Sequence, residues 1–109
     1  MRKMSLVALG REHLERARQA RSGRSAESVF GGHEHALRQT VVAMTAETVL
    51  AEHANPGEAT VQVLQGRVVL RSGHDVWEGR EGDLLVVPQA RHDLRAVADA
   101  VILLTTVVK

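Results

Sequence analysis

From about residue 29 onward, apolar and polar residues alternate over short runs broken by turn-forming residues. That is the period-two pattern of half-buried strands. The runs predict strands over Leu37–Met44, Thr48–His53, Ala59–Leu64, Arg67–Arg71, Asp75–Glu78, Asp83–Val87, His92–Ala96 and Val101–Val108. Asn55-Pro56-Gly57, Gln65-Gly66, Ser72-Gly73, Gly79 to Gly82 and Pro88 to Ala90 supply the turns between them. The beginning of the chain differs. Ser5 caps a predicted helix with Leu6, Leu9, His13, Leu14 and Ala17 on one stripe, and Gly23 is placed to end it. Ser22 to Ser28 reads as a connector. Short strands following one another through tight turns predict an all-β sandwich or barrel, not a βαβ fold. The division expected is a helix and connector over residues 1–28 and a barrel domain over 29–109. There is no internal repeat and no low-complexity segment.

Composition narrows this picture. With 109 residues there is room for one domain and one core. Phe30 and Trp77 are the only aromatics, so Val, Leu, Ile and Ala must build the core, and RNA or single-stranded DNA binding by base stacking is disfavoured. The absence of cysteine excludes disulfides, zinc–thiolate sites and a thiol nucleophile. The apolar run Leu6 to Leu9 is too short for a signal peptide, and nothing reaches transmembrane length, which makes a cytoplasmic location the default expectation. Charge is uneven. Residues 1–24 sum to +5, with only Glu12 and Glu15 against seven basic residues, and the remainder sums to −4. No nucleic-acid motif accompanies the basic arm, so a solvated helix with arginines against an acidic barrel is the favoured reading over nucleic-acid contact.

Two stretches carry a family resemblance. The first is His53, Asn55-Pro56-Gly57 and Val63-Leu64-Gln65-Gly66-Arg67-Val68; the second is Gly82-Asp83-Leu84-Leu85-Val86-Val87-Pro88 followed by Gln89-Ala90-Arg91-His92. They resemble the two motifs of the cupins, G-x5-H-x-H-x3-4-E-x6-G and G-x5-P-x-G-x2-H-x3-N. The resemblance runs from Leu50 to Lys109 and implies a cupin-type jelly-roll β-barrel with a short N-terminal α-helical extension. Residues 29–49 then supply the first barrel strands. Gly66 and Gly82 suit turns with unusual backbone angles, and Pro88 suits a strand end.

The family's usual metal ligands are two histidines and a glutamate from the first motif and a histidine from the second. His53 and His92 match the first and last of these. Asn55 stands where the second histidine belongs, and Ala59 where the glutamate belongs. Glu58 is one residue off, on the opposite face of a regular strand. In the second motif Ala90 replaces the glycine, one residue is missing before His92, and Ala96 replaces the terminal Asn. Two imidazoles suit a divalent Zn, Fe, Ni, Cu or Mn ion if Asn55, Glu58, Gln62 or water completes the shell. The alternative is a metal-free pair of pocket histidines that bond a ligand. The expected pocket comprises His53, His92, Asn55, Gln62 and Gln39.

His33 and His35 form a second H-x-H beside two glycines, which reads as solvated loop histidines, with a place at the barrel mouth left open. Arg38 and Gln39 interrupt an apolar strand, so one of them faces the interior. An interior Arg needs a carboxylate or an anionic ligand. Trp77 reads as packing, and His13 and His74 as surface residues. No Ser-His-Asp order, phosphate loop or HExxH is present. Two functions stay open. One is a small-molecule pocket that, with a metal as Lewis acid or oxygen-activating centre, does oxidative, isomerase-like or decarboxylase-like chemistry on an organic acid or sugar. The other is a metal-free ligand-sensing or protein-interaction module whose basic helix contacts a partner. The resemblance also implies a homodimer, and the nearly continuous apolar run Val101–Val108 is expected to be buried on both faces, in part by the partner.

Overall fold

The computed structural model describes residues 2–53 and 57–107, with Glu52 and His53 described as backbone alone. One helix, α1 (Leu6–Gln19), precedes nine strands: β1 (Arg24–Phe30), β2 (Leu37–Met44), β3 (Val49–His53), β4 (Glu58–Gln65), β5 (Arg67–Ser72), β6 (Asp75–Arg80), β7 (Leu84–Val86), β8 (His92–Ala96) and β9 (Ala100–Val107). They form two antiparallel sheets, ordered β1-β2-β9-β4-β7 and β3-β8-β5-β6. No helix among the described residues is long and apolar enough to cross a membrane.

Alternation sets what each face buries. Val42 and Met44 of β2, Ala59, Val61 and Val63 of β4, Val68 and Leu70 of β5, and Ile102 of β9 close the space between the sheets. The opposite face of the five-stranded sheet is covered by α1, where Leu14 and Ala17 pack on Val41, Ala43, Val101 and Leu103. This explains the continuous apolar runs of β2 and β9, where residues 41–44 and the paired residues 100–103 are covered on both sides. Residues 104–107 are only half-buried, against the expectation for the whole of Val101–Val108. The cover over β9 is the chain's own helix. The Ser5 hydroxyl accepts from the Ala8 amide and caps α1. Gly10 lets the helix approach closely, since a methyl there would lie 3.0 Å from Val101 Cγ1.

The region before residue 29 corrects the expectation. Arg24–Phe30 is the edge strand β1, so most of the expected connector is sheet, and the barrel begins at Arg24. His13 is also not a surface residue. It is 2% exposed, with Nε2 2.8 Å from Glu27 Oε1 and Nδ1 2.7 Å from Ser25 Oγ. A polar helix residue and two polar strand residues thus satisfy one another in the seam. His74 is exposed, as expected. Of the helix arginines, Arg18 reaches Asp99 at the start of β9, the kind of contact anticipated between a basic helix and an acidic barrel.

Gly66 carries the β4–β5 turn at φ +84°, where only glycine is unstrained. A methyl there would also lie 2.1 Å from the Asp99 carbonyl oxygen. This turn holds β4 and β5 in different sheets, so that Ala59 and Val61 on one side face Leu70 on the other across the space between them.

Candidate functional site

The first residue of β8, His92, projects between the sheets and is 6% exposed. It follows the Pro88 turn, and inward alternation continues through Leu94 and Ala96. Its Nδ1 is 2.8 Å from the Ala90 carbonyl oxygen. A carbonyl only accepts, so Nδ1 carries the proton, and in the neutral ring Nε2 holds the lone pair. His92 borders a cavity of about 80 Å³ whose other walls are Leu50, Ala59, Val61, Leu70, Val87, Leu94, Ile102, Leu104 and Thr106. One ionisable side chain and one hydroxyl thus stand in an otherwise apolar lining. A water needs roughly 10–15 Å³ by this measure, so the space suits a small organic molecule or a few waters.

The expected pocket residues do not all meet here. The backbone of His53 pairs directly with that of His92 at the end of β3; the His53 side chain and Asn55 lie outside the described residues. Gln62 is exposed and points away from the barrel, because the inward positions of β4 are Ala59, Val61 and Val63. Gln39 is likewise displaced. It shares the parity of Val41 and Ala43, faces the helix side, and donates to Thr105 Oγ1 at 3.2 Å. It borders an open hollow with Arg2, Lys3, Met4, Leu6, Val29, Phe30 and Leu103, separate from the His92 cavity.

The four-ligand metal site that the resemblance implies does not fit the described residues. Ala59 occupies the wall where a glutamate would reach inward. Glu58 is exposed on the opposite face, and β4 pairs regularly with β9 through that position, so no bulge turns it in. Among the described residues no three His, Cys, Asp or Glu side chains converge on a common point. His33 and His35 lie in the exposed turn between β1 and β2. His35 stacks on Phe30 with ring centroids 5.0 Å apart and lies 3.7 Å from Glu34, as loop histidines do.

Arg38 resolves the question of which polar residue of β2 faces inward. It shares parity with Val42 and Met44 and pairs with Thr106, itself a wall residue of the His92 cavity. Its Nε is buried and has no hydrogen-bond partner among the described residues. An unmade bond at a buried charged group costs on the order of 1–3 kcal/mol or more. Arg38 borders a second, shallower hollow of about 260 Å³ with Ser28, Gly31, Gly32, His33 and Thr40. Trp77 borders neither space and is 41% exposed on the edge strand β6.

No protein-family model matches the chain, and no curated protein matches it in sequence. Solved structures do match in shape. A conserved protein of unknown function from Streptococcus pyogenes is 23% identical with a TM-score of 0.74, over 83% of this chain and 78% of that one. A cupin superfamily protein from Desulfitobacterium hafniense is 15% identical with a TM-score of 0.72, over 79% and 78% of the two chains. An RmlC-like cupin from Desulfovibrio desulfuricans is 26% identical with a TM-score of 0.67, over 77% and 81%.

Proposed function

We propose that this chain, which has the fold of a small cupin domain, is a binding module that takes a small, largely apolar molecule with a polar end into the cavity beside His92, without a metal ion. The observation that carries the reading is the lining. His92 is the one ionisable side chain among nine other described wall residues, eight of them apolar, and Ala59 stands at the position from which a carboxylate would hold an ion. The His92 imidazole, its Nδ1 proton directed to the Ala90 carbonyl, puts one polar ring beside this apolar lining, which suits a guest that is apolar over most of its length and polar at one end. Such a wall excludes water and orients a guest. It lacks the second acid, base or nucleophile that a reaction would need among the described residues.

The test is a titration of the isotopically labelled chain, purified without chelator or histidine tag, with pentanol and pentanamide. Methyl resonances of Leu70, Ile102 and Leu104 and the His92 ring should move together, and His92→Ala should abolish the response. Elemental analysis of the same preparation should find no stoichiometric metal. Resonance changes spread over the surface, or one tightly held metal per chain, would overturn the proposal.

A further inference from the structure

We infer that the ligand is a small carboxylic acid whose carboxylate is received by Arg38 at the barrel mouth. This deepens the binding reading above and rests on it. Arg38 enters the interior face from β2, the face that carries Val42 and Met44 further along. A guanidinium placed there without an acidic partner is an expensive choice for a fold. The carboxylate nearest in sequence, Glu34, is exposed and lies 3.7 Å from His35 instead. Arg38 Nε is buried and unbonded, and the ion pairs among the described residues leave this arginine out. A bidentate carboxylate uses the Nε–H together with one Nη–H, so it supplies the partner this atom lacks.

The surroundings fit the same guest. Ser28 and Thr40, which pair across β1 and β2, bring two hydroxyls to the hollow beside Arg38, and His33 adds an imidazole. Thr106, which lines the deeper cavity, stands beside Arg38 on the neighbouring strand. It is the cross-strand partner of Arg38 and of Ala59, and it lies in the same wall as His92. Neighbouring strands lie roughly 4.8 Å apart, so a carboxylate at Arg38 leaves the tail of a short acid free to enter the apolar space. A bare inorganic anion fills only the outer part and gains nothing from the eight apolar walls.

Calorimetry on the full chain at low ionic strength separates the possibilities, using butanoate and pentanoate, their primary amides, and inorganic phosphate. A carboxylate should bind about tenfold or more tightly than its amide, since the pair is charge-assisted. Arg38→Gln should remove that preference while amide binding persists, and Arg38→Lys should keep only part of it. In the ligand-free state Arg38→Met should melt at the same or a higher temperature than the parent chain, because it removes an unsatisfied buried donor. Equal binding of acid and amide, or a preference that survives Arg38→Gln, would overturn the inference and leave the cavity reading intact. Phosphate binding as tightly as pentanoate would mark a general anion hollow and equally overturn it. A lower melting temperature for Arg38→Met would show a structural arginine. Failure of acids and amides alike would sink both readings.

Discussion

Two regions of the molecule bury a histidine, and they treat it in opposite ways. In the seam between α1 and the five-stranded sheet, His13 is 2% exposed and both ring nitrogens meet side chains of β1. Between the sheets, His92 is 6% exposed, and its Nδ1 bonds a backbone carbonyl two residues away, beside a cavity of apolar walls. The first arrangement leaves no room for a guest and no polar capacity for one. The second keeps a polar group at the edge of empty space. Burial of a titratable residue is therefore not the mark of a site; whether it borders open space or closes a packed seam decides.

The largest effect expected within this contrast comes from the shared wall. Leu70 is 1% exposed and faces both the core and the His92 cavity. Leu70→Ala should cost roughly 2–5 kcal/mol in denaturant unfolding, because the deleted volume adds to a void that already exists. The same change should lengthen the longest alcohol that binds. A cost below about 1 kcal/mol would mean that the wall collapses and that no persistent cavity stands beside His92.

Next comes the exchange of the two histidines. His13→Ala removes two side-chain bonds and packing from the seam, and should destabilise by roughly 1–3 kcal/mol while pentanamide binding is unchanged. His92→Ala should do the reverse, changing stability by about 1 kcal/mol or less and abolishing binding. Paired unfolding and titration curves on both variants check the assignment. It breaks if His92→Ala proves the more destabilising of the two.

Most of this arrangement was legible in the sequence, and the exceptions have physical causes. On β4 the alternation already contradicted one expected pocket residue: with Ala59, Val61 and Val63 inward, Gln62 had to point out, whatever its polar chemistry suggested. On β2 the same logic failed, because Val41, Val42, Ala43 and Met44 are all apolar beneath two covers, and no parity could be read for Arg38 and Gln39. β1 was hidden for a related reason. Its helix-facing positions Ser25 and Glu27 are polar because they serve His13, and its other face, with Ala26 and Ser28, is exposed at the sheet edge. A buried polar pairing thus disguised a strand and a core histidine together. His92 was readable because a turn proline and a strand start locate it independently of any alternation.

The smallest effect belongs to the face that neither histidine touches. The outer side of the four-stranded sheet has no helix over it and carries ion pairs instead, Arg67 with Glu78, Arg71 with Asp93 and Arg95 with Glu47. Arg67 donates to Glu78 through Nε at 3.1 Å and through Nη2 as well. That hydrogen bonding, then the attraction of the Arg67 charge, with a further contribution from Arg80, holds the Glu78 carboxyl below its ordinary value of 4.5, against a smaller opposing effect of burial. A carboxyl lowered on folding stabilises the native state above its unfolded value and loses that contribution as pH falls through the folded value. Glu78 is solvated, so the contribution is small and screened by salt. The stability difference between the parent chain and Glu78→Gln should therefore be slight and flat near neutral pH. It should shrink only below pH 4.5, and shrink also on adding salt. A difference that persists in acid would show that Glu78 acts through packing rather than charge. The bare sheet face would then resemble the helix seam more closely than its exposed ion pairs imply.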